Sequence, residues 1–254
     1  MDIIILGAGT GIPMPGFSSP SLVMLIKDGV FLFDIGPGTL NRLVKARIDF
    51  ENINTVFITH FHPDHAADLV HLFFAARNPD ILKKKRPFTI TGPEGIKNLI
   101  MKLNEAYNNL LSVPPDLVSI DELDIDKTVK REYPDFDIIS RHVKHNENSL
   151  AYRVEDRSGH IFTYSGDTGY CEEIIELAYN SDLLVLECSF PEGKNIEGHL
   201  TPSLAGKIAH RARVKRLALV HFYPEVLKTD IKSECGKIYK GEILLGKDLM
   251  RISI

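Results

Sequence analysis

Residues 57–69 read FITHFHPDHAADL, an apolar run that ends in three histidines and an aspartate within six positions: His60, His62, Asp64 and His65. The run TVFIT at 55–59 has the β-branched and aromatic content of a strand. In extended backbone, side chains alternate, so His60 and His62 point to the same side and both imidazoles reach one metal ion. Pro63 favours a turn, and Asp64 with His65 falls at the start of the next helix, facing a second metal beside the first. Imidazole nitrogen and carboxylate oxygen suit zinc and several other divalent ions. The competing reading, a solvated histidine-rich turn, is a poor account of four potential ligands at a strand end.

Outward from this stretch the chain alternates strands with helices. IIIL at 3–6, SLVMLI at 21–26 and VFLFD at 30–34 precede it; FDIISRHV at 136–143, LAYRVED at 150–156, HIFTYSGD at 160–167, DLLVLE at 182–187 and RLALVHF at 216–222 follow. Their near-continuous apolar character predicts strands buried on both faces. Helices are predicted at about 38–47, 65–77, 93–109, 170–179, 202–212 and 225–239, the fifth with Thr201 as N-cap and Pro202 at its first position. Helices recurring between strands in both halves predict an α/β fold of four layers, αββα. VPPDL at 113–117 is the strongest candidate for the crossing between halves, and residues 1–254 read as a single domain.

Composition removes several function classes. With 254 residues, 44% hydrophobic and 25% charged, the chain can bury a substantial core. A formal charge of -4 argues against a generally basic nucleic-acid binder, leaving only local groups such as KKKR at 83–86 and Arg211, Arg213, Lys215 and Arg216. Cys171, Cys188 and Cys235 form no CxxC pair, which speaks against a disulfide framework and a cysteine zinc site and for a reducing cytoplasm. The start MDIIILGAGTGIP turns to glycine after four hydrophobic residues, and no run approaches the roughly 20 apolar residues of a membrane span. Neither a leader nor a membrane segment is expected.

THFHPDH resembles the HxHxDH signature of the metallo-β-lactamase-fold hydrolases. That resemblance implies the four-layer αββα metallo-β-lactamase sandwich and further ligands late in the chain, each at a strand end. HVKHNENSLAYRV offers His145, YSGDT offers Asp167 and LALVHFYPE offers His221. By resemblance, His60, His62 and His145 hold one ion, Asp64, His65 and His221 hold the other, and Asp167 bridges them. His142 competes with His145; Asp167 can instead cap the following helix, and His221 can instead be a core histidine. Asp34 in FLFDIGPGT is implied to orient the metal-binding imidazoles as a hydrogen-bond acceptor, with a turn-forming aspartate as the alternative.

GAGTGIP near the start, TGPEG at 91–95, LLVLECSF around Glu187, EGHLTPSLAG at 197–206 and LVHFYPE at 219–225 are similar to segments of the ribonuclease Z-like branch. In that branch the histidine of GHLT, here His199, acts in catalysis without binding metal, and Glu187 is its orienting carboxylate; the alternative is that His199 merely precedes the Thr201 cap. Three departures bear on substrate. Only 22 residues separate His145 from Asp167, leaving no room for the long tRNA-gripping arm; GPGTL replaces GEGTQ; and PMPGFSSPS lacks an Arg-Asn pair.

The expectation is therefore a dinuclear metal-dependent hydrolase, a phosphodiesterase using a metal-bridging hydroxide, with zinc as the default ion pair and manganese as the substitute. Asp64 would orient the hydroxide, and His199 would stabilise charge or protonate the leaving oxygen. Small phosphodiesters or short nucleic acids are the expected substrates, tRNA 3′ processing and thioester or lactone hydrolysis the alternatives, and a non-catalytic metal-binding scaffold the rival from another class. A homodimer is the assembly common in this branch.

Overall fold

In the computed structural model, which describes residues 1–254, β1 (Asp2–Gly7), β2 (Ser21–Ile26), β3 (Gly29–Phe33), β4 (Ile53–Phe57), β5 (Phe88–Pro93) and β6 (Val118–Leu123) lie side by side in chain order. A second sheet holds β7 (Val129–Glu132), β8 (Phe136–His142), β9 (Leu150–Asp156), β10 (Ile161–Tyr164), β11 (Leu183–Glu187), β12 (Arg216–Val220) and β13 (Glu242–Leu245). The last strand, β14 (Met250–Ser253), returns to pair antiparallel with β1, so each sheet has seven strands. Strands β3 to β6 are mutually parallel, as are β10 to β13, and the remaining pairings are antiparallel.

Strand alternation explains why the apolar runs are nearly continuous. Ile3 and Ile5 of β1 face the other sheet, in a cluster with Phe33, Phe57, Tyr152, Phe162 and Ala218. Their neighbours Ile4 and Leu6 face outward, against Leu43, Leu69, Leu72 and Ile96. Across the sandwich Leu184 and Leu186 face Ile174, Ile208 and Ile231. Both faces of the central strands are thus buried, giving the four layers αββα. Phe33 and Phe57 stack at 5.0 Å between the sheets, and burying each contributes roughly 1.5–3 kcal/mol.

The outer layers are α1 (Thr39–Lys45), α2 (Pro63–Ala66), α3 (Leu69–Ala76), α4 (Pro79–Leu82) and α5 (Ile96–Ala106) on one side, and α6 (Glu172–Leu177), α7 (Pro202–Arg211) and α8 (Ile231–Gly236) on the other. Two expected helices are broken. The segment 65–77 divides into α2 and α3, because the His65 carbonyl accepts from the Ile35 N–H at 2.7 Å and the Asp68 N–H donates to the Ile35 carbonyl at 3.0 Å in place of their helical partners. The segment 225–239 divides into a short 3₁₀ turn, Val226–Lys228, and α8, whose Ser233 N–H donates to the Asp230 side chain. Thr201 is the N-cap of α7, with Pro202 at its first position, but Glu192 rather than Thr201 accepts the Ser203 N–H, at 2.7 Å. The chain crosses between sheets at 124–128, not at 113–117, which lies within the connection from α5 to β6. The three cysteines are free, and no helix is long and apolar enough to cross a membrane.

Candidate metal centre

Carboxyl ends of parallel strands from both sheets meet at one rim. Asp34 follows β3, His60 lies three residues beyond β4, Asp167 three beyond β10, Glu187 closes β11 and His221 follows β12. Open α/β sheets place their ligand sites at such ends. Asp34 and His221 have positive φ, 59° and 60°, a conformation that costs a non-glycine residue about 1–3 kcal/mol and is tolerated where the surroundings fix it.

What fixes Asp34 is a set of donors. Its fully buried carboxylate accepts from the Thr59 N–H at 2.8 Å, Thr59 Oγ1 at 2.9 Å, Tyr164 O–H at 2.8 Å and His65 Nδ1 at 2.7 Å. A carboxylate has no proton to give, so His65 Nδ1 carries the hydrogen and its Nε2 faces inward. Thr59 spends its one hydroxyl proton on Asp34, so at His60 Nδ1, 3.0 Å away, it accepts. His60 Nε2 then also faces inward as a lone pair. His145 Nδ1 lies 2.9 Å from the Gly198 carbonyl, which fixes a third imidazole in the same sense.

The inward nitrogens form two half-cages. Donor atoms of His60, His62, His145 and Asp167 all lie within 4.8 Å of one another, as do those of Asp64, His65 and His221. Asp167 reaches both with different oxygens: Oδ2 is 3.8 Å from His60 Nε2 and 3.7 Å from His145 Nε2, while Oδ1 is 3.2 Å from His65 Nε2 and 3.3 Å from His221 Nε2. Gly11 N–H anchors Asp64 Oδ2 at 2.9 Å, so the N-terminal glycine loop serves the second half-cage. His60 Nε2 and Asp167 Oδ1 are buried without a hydrogen-bond partner. Orphaned acceptors are costly unless a cation satisfies them, and this donor set of imidazoles and carboxylates fits divalent ions.

Electrostatics point the same way. Burial, reinforced by neighbouring imidazoles, pushes His60 well below the usual histidine range and keeps its lone pair free. Burial opposes ionisation of Asp167, yet His221 and His65 hold its carboxyl well below the usual range. His65 shows the reverse balance: burial would lower it, but Asp167 and Asp34 raise it well above the ordinary value.

His199 stands at the edge of this cage. A ring nitrogen of His199 lies within 4.8 Å of donor atoms of Asp167 and His221, and the ring stacks on His221 at 5.8 Å and meets Phe190 at 5.5 Å. Its Nδ1 donates to Glu187 Oε1 at 2.9 Å. Glu187 is fully buried and also accepts from the Thr168 N–H at 2.9 Å and the Leu200 N–H at 3.1 Å. Two recesses flank the cluster: one of 480 Å³ beside Asp64, lined by Pro13, Met14, Phe17 and Pro63, and one of 310 Å³ beside His199, lined by Lys144, Tyr170 and Asn195. A larger recess, 590 Å³, lies at the chain termini and touches none of the histidines, so volume does not locate the chemistry.

Several open readings now have a geometry. His145 is in the cluster and His142 is not; His142 Nε2 lies 3.1 Å from the Asn146 carbonyl, facing another recess. Asp167 does not cap α6, whose N-cap is Cys171. His60 and His62 come together, rings 4.6 Å apart, although β4 stops at Phe57; the loop is held by Leu150 N–H on the Thr59 carbonyl rather than by strand alternation. Thr59, Ser189, Tyr164 and Gly198 escaped the sequence reading, because a hydroxyl or glycine marks a site only through what it touches.

Gly198 has φ +79°, and a Cβ there would lie 2.9 Å from His145 Nδ1 and 3.2 Å from its Cα. Gly198→Ala is expected to displace His145 and weaken binding of one ion by about 10–100-fold, leaving the other in place. Titration of the metal-free variant with zinc against a chelator checks this; unchanged affinity for both ions would rule out the role given to Gly198.

The family model described as a beta-lactamase superfamily domain matches residues 30–222. A ribonuclease Z of Thermoplasma acidophilum is 30% identical over 99% of this chain and 96% of its own. That alignment runs over 297 positions against 254 residues here, so the relative carries insertions this chain lacks. Among solved structures, the short form of human tRNase Z is 25% identical with a TM-score of 0.81, covering 100% of this chain and 99% of that one. The metallo-beta-lactamase fold protein YhfI from Bacillus subtilis is 22% identical with a TM-score of 0.85, covering 99% and 98%.

Proposed function

The chain belongs to the beta-lactamase superfamily and is a metal-dependent hydrolase of its ribonuclease Z-like branch, and on that premise we propose that it hydrolyses phosphodiesters with two divalent ions, zinc by default and manganese as substitute. The observation that carries this is Asp167, one oxygen turned to each half-cage, with His199 held beside them by a buried glutamate. Ions bound there would bring the pKa of a water toward neutrality and offset negative charge on phosphoryl oxygens.

The chain's own side chains do the rest. Asp64, fixed by Gly11 N–H, accepts a hydrogen bond from the attacking water and so orients it. His199 presents a proton to the leaving oxygen, its other nitrogen being committed to Glu187. The leaving group then lies in the recess of Lys144, Tyr170 and Asn195, and the part that keeps the phosphate lies beside Asp64 in the more apolar one.

Small or short phosphodiesters fit better than a long basic-surface ligand. Among the basic groups noted in the sequence, Lys85 is buried, Lys83 pairs with Asp80 at 3.1 Å, Arg211 with Glu172 at 2.5 Å and Lys215 with Asp182 at 2.6 Å, while Lys84, Arg86, Arg213 and Arg216 pair with no carboxylate. Half of these groups are thus buried or offset by a neighbouring carboxylate, which leaves a short set of charges for a phosphate path. The reading kept beside this one is tRNA 3′ processing, favoured by the Thermoplasma acidophilum relative's name, Ribonuclease Z. We place the protein in the cytoplasm as one domain over residues 1–254, with a homodimer as its assembly.

Metal analysis of purified protein is expected to give two ions per chain, and the same preparation is expected to turn over bis(p-nitrophenyl) phosphate but not a thioester. A precursor tRNA assayed alongside separates the two readings: cleavage at the 3′ end favours processing, and indifference favours small phosphodiesters. Thioester turnover alone would overturn the proposal.

A further inference from the structure

Ser189 is fully buried, and its single hydroxyl touches Glu187 Oε2 at 2.6 Å, His221 Nδ1 at 2.9 Å and the His221 carbonyl at 3.2 Å. The proton count decides the directions. Carboxylate and carbonyl oxygens only accept, and of the two the Glu187 oxygen is the nearer by 0.6 Å, so the one Ser189 proton goes to Glu187. Toward His221 the hydroxyl oxygen has only lone pairs left, so His221 Nδ1 carries the hydrogen. His221 Nε2 is then a lone pair aimed at Asp64 Oδ2, 3.6 Å away, and Asp167 Oδ1, 3.3 Å away.

The same arrangement occurs at the other carboxylate. Asp34 holds His65 directly and His60 through the Thr59 hydroxyl, and Glu187 holds His199 directly and His221 through the Ser189 hydroxyl. Each sheet thus supplies one buried carboxylate, one hydroxyl and two imidazoles. We infer that Ser189 is a positioning residue that locks His221 in its Nδ1–H form, so that Glu187 governs the cage as well as His199. The glutamate's further bond to the Thr168 N–H places the neighbour of Asp167 under the same control.

The metal arm of this inference rests on the function proposed above; the tautomer arm does not. Long-range ¹H–¹⁵N spectra of the metal-free protein, taken at alkaline pH, are expected to show His221 as the Nδ1–H form. Ser189→Ala is expected to shift it toward Nε2–H without changing His60, and Thr59→Val to do the opposite. Ser189→Thr, which keeps a hydroxyl, is expected to restore the wild-type form. In zinc titrations Ser189→Ala is expected to lose about 10–100-fold in affinity for one ion and keep the other. An Nε2–H form of His221 in the wild-type protein overturns the inference with no variant needed, as does a Ser189→Ala spectrum unchanged at His221. A wild-type protein that binds no ion would sink the proposed function while the spectra still decide the part given to Ser189.

Discussion

Asp167→Asn is expected to leave the metal-free fold intact while abolishing tight binding of the ion pair, with the largest loss of turnover of any single substitution in the chain. The side chain is buried and nearly isosteric with its replacement. Its Oδ1 lies 3.2 Å from His65 Nε2 and 3.3 Å from His221 Nε2, and its Oδ2 3.8 Å from His60 Nε2. An amide keeps one oxygen but presents two N–H groups in place of the other, which donate to imidazole lone pairs and cannot ligate a cation. The charge that offsets two dications is gone as well. Thermal melts separate the effects: added zinc at 100 times its Kd stabilises a binding-competent fold by about 2.7 kcal/mol. The wild type is expected to show such a metal-dependent rise in Tm, and Asp167→Asn a melt that zinc does not move. A variant that still takes up two ions would remove Asp167 from the bridging position.

How much of this was legible in the sequence depends on where each residue sits. Central strands such as IIIL at 3–6 and DLLVLE at 182–187 were readable because both of their faces are buried, one against the other sheet and one against helices. The strands that went unread include all four sheet edges, β6, β7, β13 and β14. VKRE in β7 exposes Lys130 and Glu132, the usual protection of an edge against pairing with another chain, and VSIDEL in β6 holds Asp121 and Glu122 half-buried on alternate faces; both erase the apolar signal. The residues proposed as metal ligands could be singled out because histidine and aspartate at strand ends are themselves the signal. Thr59 and Ser189 were not, since a hydroxyl takes its meaning from the carboxylate and imidazole on either side. Gly198 was invisible for a related reason: the backbone it passes lies 53 residues away at His145.

His199→Ala carries the second large effect, and its value lies in a comparison of leaving groups. Burial alone would lower the His199 pKa, but the hydrogen bond and charge of Glu187 outweigh it and raise the imidazole above its ordinary value. More of the ring is therefore protonated at neutral pH, as a general acid requires. Because the raised value governs, turnover through this acid is expected to be fully present below it and to decline as pH rises through it. Removing such a group costs about 10²–10⁴-fold, provided the leaving oxygen needs a proton. An alkyl phosphodiester, whose alkoxide is strongly basic, is expected to lose the full factor in kcat, whereas the p-nitrophenyl ester, which departs as a stable anion, is expected to lose little. Metal content is expected to stay at two per chain, since both half-cages are complete without His199. An equal loss on both esters would mean that the imidazole stabilises charge on the phosphoryl oxygens instead of giving up a proton. Loss of an ion together with activity would make His199 a ligand, a role its distance to Asp167 and His221 permits but which its hold on Glu187 does not require.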